Sequence, residues 1–338
     1  MYSTKIGPPK AVTVMSLVIA VLAVIAAATG IFWQDGGNHY DFTTLRGQTV
    51  QVQGGGLYRF DSVAGASQEI GQDVVTLGIG IPLLLAACAW AAGGSLRGKV
   101  LRAGTLGYFL YTYTSMAMLS AYNQFFLLYV ALMSLSLFAF VMSLLVINVA
   151  SLPAHFSKTF PRRTVAGFNL FVGAMLAILW LGLIVPPLLA GATPFGLESY
   201  TTLVIQAMDL GLIMPTAILA GVLLLRRVPF GYLLSSVVLV KGFTMGAALL
   251  AMTAAQMLAG VQVDQFAAIA FATIAVVDMS LTILLFRSIS DTPFIEEGVT
   301  GLWAPEGALQ GQVGHSTAPL PAGNAIQTTI HQELQPGQ

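Results

Sequence analysis

The chain is 338 residues long, 56% hydrophobic and only 8% charged, with a mean hydropathy of +0.82, whereas soluble domains carry about 25% charged residues. Water is therefore excluded as the solvent for most of its length. Its 14 basic and 14 acidic residues cancel, leaving no net field to attract nucleic acid, and a single cysteine, Cys88, excludes an intrachain disulfide or a cysteine metal cluster.

The first apolar run, residues 11–33, follows a short segment, 1–10, that carries Lys5 and Lys10. Ala26, Ala27 and Ala28 offer a cleavage site for a secretory signal, but the run exceeds an h-region of about 7–15 residues and ends at Trp33, an interfacial anchor. We read it as a retained membrane helix. Apolarity stops over residues 34–72. There Val50 and Val52 alternate with polar residues, Gly54, Gly55 and Gly56 supply a turn, and Tyr58 and Phe60 resume, which predicts a hairpin across the glycines. Asp61 or Ser62 then caps a helix whose Val63, Ile70, Val74 and Leu77 share one face.

Seven further apolar segments follow, at 74–92, 103–122, 125–147, 165–189, 201–225, 230–258 and 266–286. Each matches the roughly 30 Å hydrocarbon layer of a bilayer. The expected fold is an all-α integral membrane protein with about eight transmembrane helices over residues 11–290 and a small extracytoplasmic hairpin-plus-helix loop between the first two. Beyond residue 291 proline, glycine and glutamine dominate, with Trp303 isolated, so 291–338 is expected to be a disordered cytoplasmic tail.

Basic residues set the orientation. Lys5, Lys10, Arg97, Lys99, Arg102, Lys158, Arg162, Arg163, Arg226, Arg227 and Arg287, eleven of the 14, fall at ends that alternate helices share. Arg46 and Arg59 lie opposite, among Asp35, Asp41, Asp61, Glu69, Asp73, Glu198 and Asp264. The positive-inside rule then places both termini in the cytoplasm and loop 34–72 outside, and the expected location is the plasma membrane.

A shift of 133 residues superposes Leu77, Gly78 and Pro82 on Leu210, Gly211 and Pro215, and Gly98 on Gly231. If the match reflects duplication, the chain is two four-helix repeats inserted the same way. Each proline frees the carbonyl four residues earlier, at Gly78 and Gly211, which marks a break or hinge. The alternative is two tolerated kinks without a functional role.

Motifs for zinc peptidases, serine hydrolases and nucleotide binding are missing, and His39, His155, His315 and His331 all fall outside the apolar runs, so no cofactor or metal set is expected. What remains is Asp209, Lys241 and Asp278, each interrupting an apolar run where an ionised side chain costs about 2.5–3.5 kcal/mol. Tyr108, Tyr111, Ser115 and Tyr122 recur at helical spacing and are expected on one inward face. Counting about 1.5 Å per residue from Arg227 and Arg287 puts Lys241 level with Asp278, and Asp209 nearer the outer surface. A buried Lys241–Asp278 ion pair follows. The leading functional reading is a transporter or channel-like protein for a small solute or ion, with Asp209, Lys241, Asp278, Tyr108 and Tyr111 at its site. A second is a sensor, assembly factor or accessory subunit that binds a protein partner through loop 34–72. A third, a lipid-active enzyme using carboxylates such as Asp73 and Asp209, has no catalytic set behind it.

Overall fold

The computed structural model describes residues 8–33 and 35–294. Lys5, Trp303 and residues 295–338, which hold most of the expected tail, lie outside the described residues. The long helices are α1 Pro8–Phe32, α2 Val63–Ala92, α3 Leu96–Met118, α4 Phe126–Leu145, α5 Arg162–Leu189, α6 Val204–Leu225, α7 Pro229–Leu258 and α8 Gln265–Ser288.

Among the described residues seven helices are long and apolar enough to cross a membrane; α3 is the exception. Its 23 residues reach about 35 Å at 1.5 Å per residue, but Arg97, Lys99 and Arg102 fill its first turns and hydroxyls recur along it. Packing explains the difference. α3 lies against α2, α4 and α7, so many of its side chains, including Tyr108, Phe109 and Tyr113, are buried by protein. Small residues permit this closeness, as is usual between membrane helices: a Cβ on Gly104 of α3 would strike Val240 of α7, and one on Gly71 of α2 would lie 2.6 Å from the Met252 backbone of α7.

Two helices contain a π turn. In α2 it runs from Thr76 to Gly80, just before Pro82; in α6 it runs from Asp209 to Ile213, just before Pro215. The prolines lack the N–H that would bond back to Gly78 and Gly211, and the chain answers with wider turns closed by Ile81 N–H on Thr76 O and Met214 N–H on Asp209 O.

The hairpin pairs differently from the sequence expectation. β1 Tyr40–Thr43 runs antiparallel to β2 Thr49–Val52, with Phe42 opposite Val50. The partner of β2 therefore precedes it. Residues 57–60 are drawn away because the Tyr58 hydroxyl donates to Asp73 inside the bundle at 2.6 Å, while Gly54 and Gly56 turn the chain at φ 77° and 74°. Ser62 is the N-cap of α2, accepting from Gly65 N at 2.9 Å, and Asp61 is buried instead. The loop is fastened by Asp35, which accepts from Gly56 N at 2.7 Å and pairs with Arg59 at 3.0 Å.

At the opposite end, Asp291 accepts from Ser95 Oγ at 2.9 Å and Leu96 N at 2.7 Å, capping α3 with a carboxylate where the helix dipole favours negative charge. Phe156 bridges Ile289, and Phe294 N donates to Ala154 O at 2.8 Å, so the chain after α8 is held through Phe294.

Candidate functional site

The three intramembrane charges converge in the half of the bundle formed by α5–α8, with one tyrosine from α3. Asp209, at the start of the π turn in α6, is buried, and both of its oxygens are used. Tyr111 Oη donates to Oδ1 at 2.8 Å and Trp180 Nε1 of α5 donates to Oδ2 at 2.9 Å. Lys241 of α7 places its Nζ 3.9 Å from the centroid of the Tyr111 ring, a cation–π contact that strengthens as water is removed. One tyrosine thus serves both charges.

The Lys241–Asp278 ion pair does not form. Among the described residues the pair within 4.0 Å is Arg59–Asp35. Asp278 of α8 accepts instead from Thr282 Oγ1 at 3.4 Å and lies so close to Gly242 of α7 that a Cβ there would collide with its carboxylate. The charges of Asp209 and Asp278 both act on Lys241, that of Asp209 the more strongly. Height along the helices separated Asp209 from Lys241, and the Tyr111 side chain spans that interval, with its ring against Lys241 Nζ and its hydroxyl on Asp209.

The expected tyrosine face splits. Tyr108 is fully buried and accepts from Gln72 Nε2 at 2.6 Å and meets Thr76 Oγ1 at 2.9 Å, in the half formed by α1–α4. Tyr111 turns toward α6 and α7. Ser115 Oγ bonds back to Thr112 O, and Tyr122, past the end of α3, is exposed. Positions 108, 111, 115 and 122 share a period, but the helix touches neighbours all round, so a shared face has no single partner.

Sequence reasoning missed Trp180 and Thr282, a lone indole and a hydroxyl in apolar helices with no signal beyond residue type. Gly78 and Gly211 sit inside the π turns, and a Cβ at either would have no neighbour within 4 Å. Their bare backbone approaches no other element.

A double-mutant cycle separates the couplings. Lys241→Met with Asp209→Asn should show interaction energy of about 1–3 kcal/mol in detergent unfolding, larger than Lys241→Met with Asp278→Asn. Tyr111→Phe, which keeps the ring but deletes the donor to Asp209, should cost about 1–3 kcal/mol. Equal couplings to both acids would contradict this geometry.

No family model, no curated protein and no solved structure matches this chain, so the reading of the site rests on its geometry.

Proposed function

We propose that this multi-pass membrane protein moves a small solute or ion, using the Asp209–Tyr111–Lys241–Asp278 cluster as its intramembrane station. One observation carries the reading. The π turns and the helices after them recur at a constant interval: Thr76–Gly80 and Asp209–Ile213, Ile81–Ala92 and Met214–Leu225, and the starts of α3 and α7 at Leu96 and Pro229, each lie 133 residues apart. Gly98 packs on residues 90 and 91, as Gly231 packs on residues 223 and 224. This supports two halves, α1–α4 and α5–α8, inserted in the same sense. At that interval Thr76 corresponds to Asp209 and Tyr108 to Lys241. In the first half these positions hold a neutral hydrogen-bonded pair at 2.9 Å; in the second they hold an acid and a base. The scaffold is served by the neutral pair, so the costly charged one calls for a use other than packing.

The halves also differ in closure. α1 packs on α4, whereas α5 and α8 do not pack on one another, which leaves the charged half the more open. The distribution of basic residues further supports cytoplasmic termini and an outward-facing hairpin, in a chain we place in the plasma membrane.

A second reading, partner binding through loop 34–72, is favoured by a specific feature. Tyr40, Phe42 and Leu45 of the hairpin are exposed, Leu45 completely, and exposed apolar clusters mark interaction surfaces.

Proteoliposomes carrying a trapped pH dye, and swelling assays with a panel of small polar solutes, test the first reading. Flux should be present and should fall at least about tenfold in Lys241→Met, as expected when about 1.4 kcal/mol or more of barrier lowering is lost. No flux in any assay, together with a stoichiometric partner retained by the wild type and lost in a Phe42→Ser, Leu45→Ser variant, would move the assignment to the second reading.

Orientation is tested separately in a Cys88→Ser background. A cysteine at Leu45 should react with an impermeant thiol reagent on intact cells and one at Asn148 should not; the reverse pattern would invert the topology.

A further inference from the structure

A second group of ionisable side chains lies at the hairpin end, apart from the Asp209–Lys241 station. Asp61, Glu69 and Asp73 are all buried, and among the described residues none of them meets a lysine or arginine within ion-pair distance. Asp73 accepts from the Tyr58 hydroxyl at 2.6 Å. Asp61 Oδ1 accepts from Ala121 N at 2.8 Å and from Tyr200 Oη at 3.1 Å, and Glu69 Oε1 accepts from Ser120 Oγ. The Asp61 and Glu69 carboxyls act on each other, yet each keeps one buried oxygen, Asp61 Oδ2 and Glu69 Oε2, without a hydrogen-bond partner. An independent group faces the same place. Tyr129 Oη of α4, in a residue 2% exposed, lies beside the Tyr58 hydroxyl without making a hydrogen bond of normal geometry, and it feels the charges of Asp73, Glu69 and Asp61.

Above this group is a cavity of about 390 Å³ at the hairpin end. Its lining includes Ser120, Ala121 and Tyr200, the same three residues whose donors hold Glu69 and Asp61. The cavity and the buried acids are therefore separated by one layer of hydroxyl and amide donors.

We propose that Asp61 and Glu69 form a proton-binding site, loaded from the hairpin-end cavity through the hydroxyls of Ser120 and Tyr200. Two adjacent ionised carboxylates are strongly disfavoured in a dry site without a cation. The groups that hold the pair are two hydroxyls and an amide N–H, all donating to it, rather than an array of oxygen lone pairs turned toward a cation, and the neutralising species assigned here is a proton. A hydronium ion in the cavity loses one O–H bond and becomes water as the Ser120 or Tyr200 hydroxyl takes its proton and passes its own hydrogen to Glu69 Oε1 or Asp61 Oδ1, where the new O–H bond forms. The site gains one positive charge and nothing is oxidised or reduced.

The groups facing the pair decide which of them exchanges. They are Asp73 on the same helix, Tyr58 in the loop, Tyr129 on α4 and Tyr200 before α6, with Tyr113 of α3 acting on Asp73 and Glu198 accepting from Ser62. α7 packs along the same helix and sets the Met252 and Ala251 backbone against Gly71. Arg46 donates to the Tyr200 and Thr201 carbonyls at 3.1 and 3.4 Å. Burial first, then the charge of Asp73, holds the Tyr58 hydroxyl far above its usual range, and burial with the charge of Asp61 does the same for Tyr200. The carboxyls are left to titrate. Burial lifts Asp61 from 3.8 to about 6, against the pull of the Ala121 and Tyr200 donors. Proton binding at this pair does not depend on what the protein carries; only a role as coupling ion would rest on the transport reading.

The test is infrared difference spectroscopy of the purified full chain as pH is stepped through about 6. A protonated-carboxyl band should grow as pH falls, and Asp61→Asn and Glu69→Gln should each remove most of it. Should either amide variant fail to fold, Ser120→Ala with Tyr200→Phe keeps every carboxyl. That variant loses two donors to the ionised form, so the midpoint must move to higher pH. A missing band, a band unchanged in the folded amide variants, an unmoved midpoint, or the same spectral change on adding sodium at constant pH would overturn the proposal.

Discussion

The strongest constraint on this fold is that an ionised side chain cannot stay unpartnered in hydrocarbon, where it costs about 2.5–3.5 kcal/mol even by the lenient insertion scales. The protein meets it without a direct ion pair. Asp209 receives two neutral donors from two helices, Tyr111 of α3 and Trp180 of α5. Lys241 is received by the face of that same tyrosine. Asp278 is accommodated because Gly242 leaves room for its carboxylate. Satisfying three charges in this way draws partners from α3, α5, α6, α7 and α8 around one cluster.

The π turns supply the local geometry. A proline removes one ladder bond, and a turn closed five residues back absorbs the loss while rotating the helix that follows. In α2 this turn presents Thr76 to Tyr108. In α6 it begins at Asp209 itself. The same backbone device therefore displays a hydroxyl in one half and a carboxylate in the other, and the chemistry changes while the packing of the following helices is retained.

Much of the fold was legible because membrane crossing is written in composition and length. The run 165–189 ends at Leu189, as α5 does, and the narrow polar break at 121–124 is a true break between Met118 and Phe126. α3 is where apolarity and burial part: Arg102, Thr105 and Thr112 are buried by neighbouring helices, so the hydropathy signal that identifies lipid-facing helices weakens in the most enclosed one. The hairpin partner of β2 was misread because alternation says which residues form a strand and not which strand they join; a buried carboxylate 15 residues away decided it. Asp209, Lys241 and Asp278 stood out in the sequence as charges in apolar runs, but their mutual geometry depended on helix rotation, which periodicity does not report. Trp180 was silent for the same reason, and so was the convergence of Asp61 and Glu69, eight residues apart across a helix start.

The measurement that bears most directly on the central claim is to write the first half's pair into the second: Asp209→Thr together with Lys241→Tyr. Neutral residues at these positions avoid the burial of two charges but leave the Tyr111 and Trp180 donors without their carboxylate, so the variant should still fold, within about 1–3 kcal/mol of the wild type, while solute or proton flux in liposomes is lost. A variant that no longer folds would mean that the charges serve the structure, and one that folds and still conducts would mean that they serve nothing in transport; either result would contradict the account.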